Sequence, residues 1–155
     1  FHLDPQDAAF VISSSGCSLV SIEMAEAFHA RQIQVVALIS RRHSEASQSN
    51  RRDGKKLQDF ADIVLDTGAP KGDAAVHIDG LDTPVAPGST VGGCAVVNCL
   101  KAEVAKLLVE AGRPPRVLTA SNLIGAGRSK ELFEAAYDEH GARLARLLHH
   151  PGALE

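Results

Sequence analysis

The run Ile33 to Ile39, IQVVALI, limits the possible folds more than any other stretch of the chain. It is apolar and β-branched almost throughout and too brief for a core helix, which predicts a strand covered on both faces, as in parallel sheets. Ala8 to Ser13 (AAFVIS) reads as a second buried strand. Between them, Leu19 to Arg31 sets Val20, Met24, Ala27 and Phe28 at helical spacing, which predicts a helix with one apolar stripe. Strand, helix and strand at this length imply a right-handed parallel crossover.

The alternation continues. Ser40 to Asp53 is polar and locally basic and reads as a solvated loop. Lys55 to Phe60 reads as a short helix, Asp62 to Asp66 as a third strand, and Ala75 to Ile78 as a short strand inside a long loop rich in helix breakers. Thr90 to Ala111 carries Val97, Leu100, Val104, Leu107, Leu108 and Ala111 on one helical face, and Gly112, Pro114 and Pro115 end it. Arg116 to Ala120 reads as a last strand, and Arg128 to Leu148 as an amphipathic helix with Phe133, Tyr137, Leu144 and Leu147 inward. The pattern predicts an α/β fold: an open parallel sheet with helices on both faces, a three-layer αβα sandwich whose ligands collect beyond the carboxyl ends of the strands.

Residues 1–155 are 45% hydrophobic with no second composition block, so they read as a single domain. A net charge of −3 offers no basic face for nucleic acid, and 4% aromatics offer no stacking platform for bases. The apolar runs fall short of a bilayer span and no secretory leader is evident, so the expectation is a cytoplasmic protein with no membrane partner. Cys17, Cys94 and Cys99 lack metal-ligand spacing; they predict a reducing compartment and no metal, the last two acting as small hydrophobes in a helix. The opening FHLDPQDA, with turn residues Pro5 and Asp7, reads as a connection into a strand, as though the chain began inside a domain.

The stretch that carries chemistry is Ser13 to Ser18, SSSGCS, between the first strand and its helix. A helix start offers unpartnered backbone N–H groups and the positive end of the peptide dipoles, both of which favour an anion. Gly16 lets main chain approach a ligand, while Ser13, Ser15 and Ser18 have hydroxyls to offer phosphate oxygens. The plain alternative makes Ser18 an N-cap and the other serines turn formers. A dinucleotide fingerprint needs three glycines where this loop has one, even though Arg41 and Arg42 follow the second strand as a 2′-phosphate reader would. IGAGRSK, Ile124 to Lys130, lacks the spacing of a Walker loop and reads as the start of the last helix. Cys17 at a helix start has the setting of a nucleophile but no assignable base.

ISSSGCS after a strand resembles the phosphosugar-binding loop of the SIS (sugar isomerase) domain, in which hydroxyls of an S-x-S-G-x-S pattern hold the sugar phosphate. The resemblance extends through IEMAEAFHARQIQVVALIS, ADIVLDTGAPKGDAA and PGSTVGGCAVVNCLKAEV, covers roughly residues 6–125, and is with a small bacterial SIS family near the phosphoheptose isomerases. It implies a flavodoxin-like or Rossmann-like fold that here lacks the family's N-terminal helices and first strand. It also implies a phosphorylated sugar as ligand, no cofactor, and self-association into a homo-oligomer. Carried over, the phosphate binders are Ser13, Ser14, Ser15 and Ser18, with Gly16 giving access; Ser89 and Thr90 match the element that caps the long helix near the sugar, or act as a plain N-cap. Asp73 and Asn122 are weaker candidates.

Aldose–ketose isomerisation needs a base to move a proton between adjacent carbons and an acid at the carbonyl oxygen. Where the phosphoheptose isomerases place Gln and His, this chain has Cys94, Val97 and Asn98, and the helix that supplies their Glu has no counterpart here. The catalytic residues are therefore unassigned. His29 and His77 read as surface or satisfied core histidines, and His149 and His150 as a solvated tail. Two expectations follow: a phosphosugar-binding SIS protein whose isomerase activity belongs to the complete protein or assembly, or a non-catalytic phosphosugar sensor or interaction module.

Overall fold

A computed structural model describes residues 3–148; His149 and His150 lie outside them. Contacts group the chain into two units, one of Leu3–Lys101 and one comprising the described residues from Ala102 onward.

The first unit is built on a parallel sheet. Strand β1 (Ala8–Ile12) leads through helix α1 (Leu19–Ala30) to strand β2 (Gln34–Ile39). Helix α2 (Arg41–Ala46) and a 3-10 turn (Leu57–Phe60) then precede strand β3 (Ile63–Asp66). The order is β1-β2-β3, both pairs parallel, with Ala8 opposite Gln34 and Val36 opposite Ile63. Alternate residues share a sheet face. Ala9, Val11, Val35, Ala37 and Ile39 share the covered one, and pack with Ile22 and Ala25 of α1 and Leu57 and Phe60 of the turn. Ile22, Val35 and Leu57 are fully buried, each contributing about 1.5–3 kcal/mol of apolar transfer.

β2 keeps much of the expected cover on both faces, with Leu38 buried and Val36 half-buried opposite the core, whereas β1, expected to be a buried strand, is exposed on that face. On the opposite face Leu38 is buried, but Phe10, Ile12 and Ile63 beside it are exposed by 40%, 56% and 44%. The α1 stripe is corrected too. The helix buries Ile22 and Ala25, with Phe28 half-buried, and leaves Val20 and Met24 exposed. Both faces of α1 are apolar, so spacing alone does not choose between them; the sheet does.

A two-stranded antiparallel ribbon, β4 (Ala74–Val76) with β5 (Val85–Pro87), precedes helix α3 (Gly88–Glu110). β5 is too short, and its proline too unfavourable, for sequence to mark it. The polar stretch after β2 is not simply a loop, since it contains α2. α3 starts two residues before Thr90 and buries none of its predicted face. Cys94 and Cys99, expected to act as small hydrophobes in this helix, are exposed on it.

The second unit holds the end of α3, the connection 111–120, helix α4 (Ser121–Ile124) and helix α5 (Ala126–Leu148). Arg116–Ala120, expected as a strand, forms none among the described residues, and Val117 and Leu118 are exposed. A strand exists through its ladder partner, and this segment has none. Phe133 and Tyr137 on α5 stack on each other at 6.2 Å but are exposed. Arg116 donates to Glu139 at 2.9 Å and Arg143 also pairs with Glu139; these guanidiniums, Arg116 foremost, hold its carboxyl below the usual range. No described helix is long and apolar enough to cross a membrane.

Candidate functional site at the carboxyl edge of the sheet

The serine loop leaves β1 and turns at once. Ser13 N–H extends the ladder to Leu38 C=O at 3.0 Å, and Gly16 N–H closes a turn on Ser13 C=O at 3.0 Å. Gly16 has φ +66°, and a Cβ there would come within 2.8 Å of Gln58 Oε1 and 3.4 Å of Ser44 Oγ. Glycine is therefore required by conformation as well as by space. Its C=O accepts from Leu57 N–H at 2.8 Å, which ties the loop to the 3-10 turn.

The hydroxyls differ in what they do. Ser15 Oγ accepts Cys17 N–H at 3.2 Å, leaving its own proton unspent on that bond. Ser18 is the N-cap of α1 by position, but its exposed side chain makes no cap bond. Ser14 Oγ is buried with no hydrogen-bond partner among the described residues. A buried hydroxyl left unpaired costs about 1–3 kcal/mol, so this orphan is a feature that calls for a partner. Cys17 is buried, and its thiol donates to Ser15 C=O at 3.2 Å. That geometry turns the sulfur inward and removes it as an accessible nucleophile.

The supporting layer was hidden in the basic stretch. Ser40 caps α2, its Oγ accepting His43 N–H at 3.2 Å. Ser44 is buried and bonds Gln58 through Oγ at 3.1 Å, directly behind Gly16. Lys56 Nζ donates to the carbonyls of Ser44 and, at 2.8 Å, Ser47, satisfying the end of α2. Arg51 bridges Glu26 of α1 at 2.5 Å and Asp53 at 2.8 Å and lies over the Phe60 ring at 5.2 Å. Arg51 holds the Asp53 carboxyl below its usual range, and both carboxylates raise the guanidinium's own pKa. These basic residues brace the loop. Arg41 and Arg42 stay exposed with no side-chain hydrogen bond among the described residues.

The three connections leaving β1, β2 and β3 are laced together. Ser40 N–H donates to Ser14 C=O at 2.9 Å, and Ser40 Oγ donates to Ala69 C=O at 2.7 Å. Ala69 in turn touches the start of α3, since a Cβ on Gly88 would lie 3.3 Å from Ala69 Cβ, and one on Gly92 only 2.1 Å from Thr67 C=O. A cavity of about 420 Å³ opens there, walled by Ala69, Pro70, Pro87, Gly88 and Val91 among others.

At the start of α3, Asp73 bonds the first turn of the helix. Its Oδ1 accepts Ser89 N–H at 2.8 Å, its Oδ2 accepts the Ser89 hydroxyl at 2.7 Å, and its C=O accepts Gly88 N–H at 2.7 Å. Ser89 thus lies inside the first turn, half-buried and already bonded, while Thr90 is exposed. Asp73 is the cap, in place of Ser89 or Thr90. The residue that sequence reasoning missed is His43. Its Nδ1 accepts Gly72 N–H at 3.1 Å, and a histidine three residues after a strand-ending serine was the available signal.

Other candidates are exposed or already bonded. Asn122 is exposed on α4, in the second unit, and His29 and His77 are exposed. Asn98 is spent on its own helix, donating to Cys94 C=O at 2.8 Å. Among the described residues no group of three potential metal ligands forms.

No family model matches the chain. It is similar to proteins that carry the name UPF0309 protein. That of Geobacillus thermodenitrificans is 33% identical over 134 residues, 86% of this chain and 54% of the relative. That of Halalkalibacterium halodurans is 38% identical over 121 residues, 78% and 50%. One from Listeria monocytogenes is 33% identical over 135 residues, 87% and 55%. The chain therefore spans about half the length of these relatives.

Proposed function

We propose that this chain is the phosphosugar-binding part of a SIS-domain protein, and that the serine loop at the start of α1 holds the phosphate. In this reading the complete protein is a cytoplasmic homo-oligomer with a three-layer αβα sandwich, in which a second helical layer covers Phe10, Ile12 and Ile63.

The observation that carries the reading is the unspent polarity of residues 13–18. Ser14 Oγ is buried and unpartnered, and the Ser18 hydroxyl sits at a helix start without capping it. A phosphate dianion satisfies both, together with the first N–H groups of α1. Charge-assisted hydrogen bonds of this kind contribute about 1.5–3 kcal/mol each, and the helix dipole adds to them. The Ser40 bonds tie this loop to the Ala69 connection, so a sugar held at its phosphate extends toward Asp73 and Ser89.

A second reading, a non-catalytic sensor of phosphosugars, draws on a separate observation. Two protonable side chains at this edge are committed: Asp73 to Ser89, and His43 Nδ1 to Gly72. In this arrangement neither Asp73 nor His43 Nδ1 is free to act as the base of an isomerisation.

Thermal shift of the chain with a panel of hexose and heptose phosphates and inorganic phosphate tests the site. At 100 times the dissociation constant a ligand stabilises by about 2.7 kcal/mol. Ser15→Ala with Ser18→Ala is expected to weaken binding by 10-fold or more. Absence of any shift, or an equal shift in the double variant, refutes the phosphate cradle. Solvent proton exchange at the carbon beside the sugar carbonyl, in the complete protein, separates isomerase from sensor.

A further inference from the structure

The third connection at the sheet edge, Thr67–Asp73, is joined to the second by two side-chain bonds. Ser40 Oγ donates to Ala69 C=O at 2.7 Å, and His43 Nδ1 accepts Gly72 N–H at 3.1 Å. The second bond has a chemical condition. A neutral imidazole has one accepting nitrogen, and a protonated imidazole has none. Since Nδ1 accepts here, the ring proton is on Nε2.

Gly72 immediately precedes Asp73, which has φ +68°. A non-glycine residue in that region costs about 1–3 kcal/mol and persists only where its surroundings hold it. The holding bonds are the Gly72 tether and the turn bond from Asp73 N–H to Pro70 C=O at 2.9 Å on one side, and the Ser89 and Gly88 bonds on the other. Of those on the first side, the tether is the one made by a side chain.

We propose that His43 is a positioning residue of the phosphosugar site and its proton switch: neutral, it fixes Gly72 so that Asp73 stays on Ser89; protonated, it repels the Gly72 N–H and releases the α3 side of the site. The proposal rests on the serine loop as phosphate cradle. The charged groups on the segments around His43 are Arg41, Arg42 and Glu45 on α2, Lys56 beneath its end, and Asp66, Lys71 and Asp73 on the Gly72 connection.

The test uses the full chain as wild type, His43→Asn and His43→Ala. Asn places Oδ1 where His places Nδ1 and accepts a hydrogen bond without titrating. Without ligand, NMR is expected to show the Nε2-protonated tautomer in the wild type. Gly72 and Ser89 amide exchange is expected to be slow in wild type and His43→Asn, and about 10-fold faster in His43→Ala, the effect of losing one hydrogen bond. Calorimetric titration with glucose 6-phosphate and fructose 6-phosphate is expected to be about 5- to 10-fold weaker for His43→Ala and within about 2-fold for His43→Asn. The phosphate monoester takes up its own proton near pH 6, so every protein loses affinity between pH 8 and 5; the wild type is expected to lose more than His43→Asn.

Amide exchange indifferent to residue 43, His43→Asn as weak as His43→Ala, or equal pH losses in wild type and His43→Asn overturns the switch. If the wild type binds neither sugar phosphate while Gly72 exchange still follows residue 43, the functional reading falls and the latch stands. If sugar binds and exchange ignores residue 43, the reverse holds.

Discussion

Helices α1 and α3 both begin just after a strand, and they treat their starts in opposite ways. At α3 the polar positions are filled from within: Asp73 accepts both the amide and the hydroxyl of Ser89. At α1 they are left open: the hydroxyl of the cap residue Ser18 bonds nothing in the helix, and Ser14 Oγ has no partner among the described residues. Both starts have the same dipole and the same orphan amides. The difference shows that an open helix start is a choice of residues rather than a by-product of the fold, and it is why the proposed phosphate site is placed at α1.

That contrast breaks most severely at Gly16. Gly16→Ala forces a Cβ into a left-handed residue and toward Gln58 Oε1, with an expected cost of about 2 kcal/mol by urea denaturation. A cost below 0.5 kcal/mol means the loop is not held as described. Asp73→Gly comes next, because it keeps the positive φ and deletes only the carboxylate. A loss of about 1 kcal/mol is expected, as for a cap, and an unchanged midpoint refutes the self-filled start.

Ser14→Ala reverses the sign. Removing an unpaired buried hydroxyl is expected to stabilise the free protein by up to about 1 kcal/mol while weakening sugar phosphate binding in calorimetry; destabilisation means Ser14 already has a partner. Ser18→Ala is the smallest. Most N-cap serines lose about 1 kcal/mol on such a change, but here the melting midpoint is expected to hold, because no cap bond exists to lose.

The sequence made some of this plain and concealed the rest for physical reasons. β1, β2, β3 and α1 follow from runs whose length and periodicity admit one local answer. The serine loop was legible because serine and glycine in that position have no role in either neighbouring element. Which face of α1 turns inward was not legible, because Val20 and Met24 are as apolar as Ile22 and Ala25, and only the neighbouring sheet decides. α2 and His43 were lost in a polar stretch whose order comes from single side chains reaching distant backbone: Ser40 to Ala69, Lys56 to Ser47, Arg51 to Glu26. Such bonds leave no period. Arg116–Ala120 erred in the other direction, since its composition suits a strand and only a neighbouring strand makes one.

The inward-facing sulfur of Cys17 supplies a clock for the loop it belongs to. Cys94 and Cys99 are exposed and within reach of an alkylating reagent, whereas buried Cys17 is expected to be reached only when residues 13–18 swing open. The lag between the fast pair and the slow third thus reports how often the cradle breathes, and an occupant that fastens it lengthens that lag without any label being introduced.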